Sequence, residues 1–169
     1  MVDCRRVEIP ILDASDLEVG DRVVFSGRIL CGRDAVLPKV CSLVEQGRLS
    51  ELDCELKGAA VFHTAVSGAG IGPTSSNKVE IEESFGPLTD AGVRVFLGKG
   101  AIGPDTVRLL GERGAVFAVV PPVTALLGAG MRSKRLVAFP ELGMEALYEV
   151  VLDLSLIHIS EPTRLGMIS

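Results

Sequence analysis

"DRVVFSGRILCGRDAVLPKVCSLVEQG", Asp21 to Gly47, contains a whole structural unit. Its first ten residues, Asp21 to Leu30, are β-rich, are entered through the turn "LEVGD" and are broken at Gly27, which reads as a strand. After "GRD", the side chains of Val36, Val40, Leu43 and Val44 recur at helical spacing. Asp34 reads as the N-cap of that helix, Pro38 is tolerable only near its first turn, and Gly47 closes it. A strand, a short polar loop and a helix therefore follow one another within 27 residues.

Working outward, the same alternation returns. "KGAAVFHT", Lys57 to Thr64, is a short buried strand that runs into the glycine-rich "GAGIGPTSSNK", Gly68 to Lys78. "NKVEIEESFGPLTDAG" is a polar, mostly helical segment, "VRVFLG" a strand, "GPDTVRLLGERG" a capped helix, and "AVFAVV" and "KRLVAF" two more strands. Strands at this spacing with helices between them predict one α/β domain, a mixed sheet flanked by helices. "AVFAVVPPVTALLGAGM", Ala115 to Met131, has no charge over seventeen residues, but Pro121 and Pro122 split it. A buried strand, a turn and a short helix suit it better than a membrane span.

Composition narrows the function classes. The 169 residues carry a formal charge of −5, with a pI near 5.1, one Tyr, six Phe and no Trp. No Lys/Arg-rich run is present, so neither nucleic acid nor an acidic membrane is expected as a partner. Any bound anion should be small and held by local cations. Cys4, Cys31, Cys41 and Cys54 make no C-x-x-C pair, and the chain opens with the charged "MVDCRR" rather than a signal peptide. Free thiols, no metal site of this chain's own and a cytoplasmic location are the expectations.

The closing "LSLIHISEPTRLGMIS", Leu154 to Ser169, changes character abruptly. Its first eleven residues resemble the translation of a transposase adapter used for sequencing libraries. The expected organisation is therefore a domain over residues 1–153, cut short, followed by a non-native tail over 154–169. This removes His158 from consideration as a site residue.

In α/β folds ligands sit at the carboxyl ends of strands. Three such loops each carry a cation: "CGRD" with Arg33, "GAGIGPTSSNK" with Lys78, and "GKGAIG" with Lys99. Together they suggest one converging anion site, although each cation alone reads equally well as a solvated surface charge. "GKGAIG" also fits G-x-G-x-x-G, but the next strand ends in "VVPP" where a dinucleotide site needs an acidic residue. His63 has a side chain suited to acid–base work, and a lone histidine at a strand end is as often structural.

"VGDRVVFSGRILCGRD", "IGPTSSNK", "FLGKGAI" and "FPELGMEALYEV", in that order, resemble the β subunit, or C-terminal domain, of the class I iron–sulfur fumarase and tartrate dehydratase family. The resemblance spans about Val19 to Asp153. It implies a swivelling β/β/α fold and reversible hydration of a dicarboxylate, with fumarate to malate first among the candidates. It also implies a four-iron four-sulfur cluster held by a partner α subunit and none bound by this chain alone. Arg33 falls on the family's carboxylate-binding arginine. Gly72 and Thr74 fall on its G-P-T-T loop, as substrate contacts, and Lys99 on the lysine of its G-K-G turn. Thr74, Lys99 and His63 are the candidates for catalysis, and Arg33, Gly72, Thr74, Lys78 and Lys99 for substrate binding. Lys78 stands where the family usually has arginine, Leu37 where it usually has histidine, and Pro121 to Val123 replace a proline and two glycines.

The chemistry fits such residues. Removing a proton beside a carboxylate builds negative charge on it, which fixed cations and N–H groups stabilise. Arg33 can grip a carboxylate through two parallel hydrogen bonds, while Lys78 and Lys99 act as point charges.

Overall fold

The computed structural model describes residues 4–64, 78–98, 102–119, 131–152 and 156–161. Among them are eight strands: β1 (Cys4–Ile9), β2 (Arg22–Gly32), β3 (Ala60–His63), β4 (Val95–Gly98), β5 (Val116–Val119), β6 (Met131–Ala138), β7 (Leu147–Leu152) and β8 (Leu156–Glu161). Three helices accompany them: α1 (Leu37–Glu45), α2 (Lys78–Asp90) and α3 (Pro104–Glu112).

β2 organises the rest. Its first half pairs in parallel with β1, from Cys4↔Arg22 to Ile9↔Gly27, and antiparallel with β8, from Arg22↔His158 to Val24↔Leu156. Its second half pairs in parallel with β3, from Ile29↔Ala60 to Gly32↔His63, and antiparallel with β7. β3, β4 and β5 follow in parallel, and β8 pairs antiparallel with β5, so the pairings β2–β3–β4–β5–β8–β2 close a ring. β7 and β6 extend the sheet from β2 as an antiparallel wing.

Alternation along the ring strands separates two cores, because successive side chains point to opposite faces. Val23, Phe25, Ile29, Cys31, Ala60, Phe62, Val95, Leu97, Val116 and Ala118 share one buried cluster. The intervening Leu30, Val61, Phe96 and Phe117 join a second cluster with Leu37, Val40, Phe85, Leu88 and Leu110 from the helices. Within the second cluster the Phe85 and Phe96 rings meet at 4.2 Å between centroids. The mixed sheet with flanking helices is thus the fold expected from the sequence.

Two local expectations are corrected. Gly27 does not break the strand: β2 passes through it at φ +118, and a Cβ there would stand 2.4 Å from the Ile9 carbonyl oxygen. Glycine lets β1 come close at the point where β2 exchanges one pair of neighbours for another. Asp34 is not the N-cap of α1. That helix starts from Val36 without a side-chain cap, and the Val36 and Leu37 amides donate to the Arg33 carbonyl at 3.0 and 2.9 Å. Neither β1 nor β7 is anticipated by the sequence reading. β8 falls within the adapter-like tail. Of Ala115 to Met131 the strand Val116–Val119 and the first residue of β6 are seen; the turn and helix expected between them lie outside the described residues. Among the described residues no helix is long and apolar enough to cross a membrane.

Candidate functional site

The parallel run β2–β3–β4–β5 places the carboxyl ends of four strands on one rim, with Gly32 opposite His63 and Gly98 opposite Val119. The Thr64 amide donates to the Gly32 carbonyl at 3.1 Å and extends the pairing by one step. The chain leaves this rim at Gly32, at Thr64 and at Gly98 to enter the three cation-bearing loops that the sequence singles out.

Two of the predicted residues meet here. Arg33 and His63 sit at neighbouring strand ends, and His63 is buried at 5 % exposure. Lys78 is the first residue of α2, with only its backbone described. Gly72, Thr74 and Lys99 lie outside the described residues. Gly98, which precedes Lys99, is on the rim, and a Cβ there would stand 3.9 Å from the Cβ of His63. Leu37 is buried in the helix-side core beside Gly32, so it is a packing residue.

His63 Nε2 lies 3.2 Å from Asp34 Oδ1. A carboxylate only accepts, so Nε2 carries the ring proton when the imidazole is neutral. Burial depresses the His63 pKa, Asp34 works against that, and the nearby Arg33 charge adds to it. The outcome is an imidazole held neutral, one nitrogen committed to Asp34. Sequence reasoning placed Asp34 at a helix cap; its partner 29 residues away is invisible to local patterns.

Arg33 has a carboxylate neighbour of its own. Its Nε is 3.1 Å from Glu145 Oε1, from the short 3-10 turn Pro140–Glu145 between β6 and β7. Sequence reasoning missed Glu145 as a site residue, though it lies inside the "FPELGMEALYEV" block. Also missed is Glu82 of α2, which accepts from the Gly103 amide at 2.6 Å and the Thr106 hydroxyl at 2.5 Å. That carboxylate ties the start of α3 to α2.

The described cysteines do not suit an iron–sulfur cluster. Cys31 faces the ring interior, Cys41 sits on α1, and Cys54 is half-buried elsewhere on the surface. Burial pushes the Cys31 thiol well up, that of Cys41 up to about 12 and that of Cys54 up to about 11. Cluster ligation needs thiolates that converge. Among the described residues no three His, Cys, Asp or Glu side chains are grouped to hold a metal ion.

A cavity of about 420 Å³ among the described residues runs between α1 and α2 and touches Asp34. Its charged lining is Asp34, Glu45 and Glu83, the wrong sign for a dicarboxylate. The rim itself, where Arg33 is placed, is the better candidate.

Comparison with known proteins identifies the family. A family profile described as Fumarase C-terminus matches residues 3–159. A protein of Methanocaldococcus jannaschii with the provisional name L(+)-tartrate dehydratase subunit beta is 28% identical over 151 residues, 82% of this chain and 75% of its own length. The L(+)-tartrate dehydratase subunit beta of Escherichia coli is 30% identical over 129 residues, 69% of this chain and 60% of its own. The anaerobic class I fumarate hydratase of the same organism is 26% identical over 166 residues. The match covers 90% of this chain and 29% of that enzyme, so the chain spans only part of the relatives it matches.

Proposed function

Because the chain belongs to the Fumarase C-terminus family, we propose that it is the β subunit of an iron–sulfur hydro-lyase, reversibly hydrating a dicarboxylate, with fumarate to malate the first reaction to test. The observation that carries this reading is the meeting of Arg33 and His63 on one rim of parallel strands, from which the loops bearing Thr74, Lys78 and Lys99 depart. The cluster is assigned to a partner α subunit, since the described thiols here are scattered and protonated. This chain contributes the carboxylate clamp.

Each residue has a role in that clamp. Arg33 offers a planar fork to one carboxylate, and Lys78 and Lys99 add point charges that stabilise the negative charge built up as the neighbouring carbon loses its proton. Gly72 allows close backbone approach and Thr74 donates a hydrogen bond. His63, its pKa depressed by burial and its Nε2 held by Asp34, stands at the rim as the candidate acid–base group.

A tartrate dehydratase-like activity is the second reading, favoured by the two subunit-beta relatives. A non-catalytic carboxylate-binding subunit of the same descent is a third, favoured by Leu37, which is buried where the family resemblance implies a histidine. Anaerobic co-production with an α-type partner, followed by absorbance assays on fumarate, malate and tartrate, separates the three. Turnover of fumarate or malate supports the first and turnover of tartrate the second. An assembled, cluster-loaded complex that turns over none of them overturns both enzyme readings.

A further inference from the structure

We propose that Glu145 is the positioning residue for Arg33: it holds the guanidinium by its Nε edge and so presents the two terminal nitrogens to a carboxylate. The inference rests on the reading of Arg33 as a carboxylate-binding residue and adds the device that aims it.

The contact is specific to one edge. Glu145 Oε1 stands 3.1 Å from Arg33 Nε, a nitrogen shielded from solvent that makes no well-aligned hydrogen bond there. A guanidinium has five N–H donors in a rigid fork. Occupying the Nε edge leaves the Nη1/Nη2 end for a bidentate grip, the geometry that distinguishes arginine from lysine. The poor alignment suits a pair that is gathered but not yet clamped, since such contacts tighten when substrate arrives. The other nearby carboxylate, Asp34, is engaged with His63. Each of these acids thus has a basic partner at the rim, His63 for Asp34 and Arg33 for Glu145.

Stability is a poor explanation for the pair. Arg33 and Glu145 side chains are 26% and 41% exposed, and a partly exposed ion pair without a well-aligned hydrogen bond adds only modestly to folding. The turn that carries Glu145, by contrast, is built against local preference. Phe139, its entry residue, is held left-handed at φ 56, ψ 55, and Gly143 kinks it at φ 61, ψ −124. For a bulky aromatic such a conformation survives only where its surroundings impose it. Here they do: the Leu142 amide donates to the Phe139 carbonyl at 3.0 Å. The Gly143 carbonyl accepts from the Ala146 amide at 3.1 Å and from the Tyr148 hydroxyl at 3.2 Å. The ammonium of Lys39, on α1, lies 5.8 Å from the Phe139 ring centroid. Ala146 and Leu147 then dive into the core. Glu145 is therefore the half-buried last residue of a turn fixed on both sides, reaching across to the end of β2. Backbone strain spent on fixing one carboxylate beside one arginine is what a positioning role requires.

Two measurements test this. In nitrogen-15 spectra of the full chain, the Arg33 Nε–H signal is identified by its loss in Arg33→Lys. It is expected to move and to exchange faster with water in Glu145→Gln and Glu145→Ala, and to be largely restored in Glu145→Asp, with the backbone amide pattern elsewhere unchanged. In the complex with the α subunit, Glu145→Gln should raise KM for the dicarboxylate on the order of tenfold with kcat nearly unchanged, and should add nothing in an Arg33→Ala background. An Nε–H signal identical to the parent's in Glu145→Gln overturns the proposal, as does additivity of the Arg33 and Glu145 effects. If the parent complex turns over no dicarboxylate, or Arg33→Ala is as active as the parent, the functional reading fails instead. The spectral comparison still decides whether Glu145 holds Arg33.

Discussion

At the scale of single residues, the protonation of His63 decides what the rim can do. Its side chain is buried and its pKa depressed, first by burial and further by Arg33, while Asp34 opposes the shift. A base whose folded pKa lies below its unfolded value contributes no pH dependence while both states are neutral. As pH falls through about 6.5, the unfolded chain takes up a proton that the folded one resists, and stability is lost until the folded pKa is passed. Urea titrations of the parent should therefore show stability falling over that window, and His63→Gln should lack that part of the fall. Identical pH profiles would mean that His63 titrates normally. In Asp34→Asn the opposing charge is gone, so the His63 midpoint, followed by its ring proton resonance, should move further down. The histidine was legible in the sequence as a candidate because of its place at a strand end. The partnership was not, because Asp34 next to a helical pattern reads locally as a cap, and only the pairing of Gly32 with His63 brings the two together.

At the scale of elements, close approach and a side-chain tie fix the supports of the site. Gly27 lies at φ +118 with the Ile9 carbonyl in the place of a Cβ, at 2.4 Å. Gly27→Ala meets both a strained backbone and a clash with main chain, and should cost at least about 1–3 kcal/mol, read from the shift in urea midpoint. A neutral result would mean that β1 can back away without loss. Glu82→Ala should leave the Gly103 amide and the Thr106 hydroxyl without their acceptor and cost about 1–3 kcal/mol. Thr106→Val added to Glu82→Ala should recover part of that loss, since it deletes one of the two donors left unpaired. Equal stability of Glu82→Ala and the parent would show the carboxylate to be replaceable by water. α1 was legible from apolar periodicity and its closing Gly47, α2 as a polar, mostly helical segment and α3 as a capped helix. β1 and β7 were not, because "CRRVEI" alternates charge with aliphatic residues over a short span and "LYEVVL" follows an acidic, helix-like approach. Their identity as strands comes from β2, whose two halves supply the pairing.

At the scale of the molecule, closure of the ring depends on β8, which falls within the adapter-like residues 154–169. β8 pairs with Arg22–Val24 of β2 on one side and with Phe117–Val119 of β5 on the other. Ring closure is a long-range property, so nothing in the alternating pattern of each strand announces it. The reading of Leu154 to Ser169 as adapter-like and the position of β8 are physically compatible. Strand pairing is made by backbone groups, and any β-prone segment of suitable length can fill a gap between two open edges. We therefore expect deletion of residues 154–169 to leave β2 and β5 with unpaired N–H and C=O groups beside the inner core, of which Val23, Val116 and Ala118 are members. The measurable consequence is a lower Tm and concentration-dependent association in sedimentation velocity, as exposed edges find each other. Replacing Leu156–Glu161 by an unrelated alternating sequence of equal length should restore both, because the register and not the side-chain identity closes the ring. None of the proposed site residues lies in the deleted stretch. Below its lowered Tm the shortened chain should still assemble with an α subunit and keep any turnover. A shortened chain with the parent's Tm and a monomeric profile would show that β8 does not close the ring in solution, and a failure of the replacement to restore stability would show that the side chains of Leu156–Glu161 matter as well as their backbone.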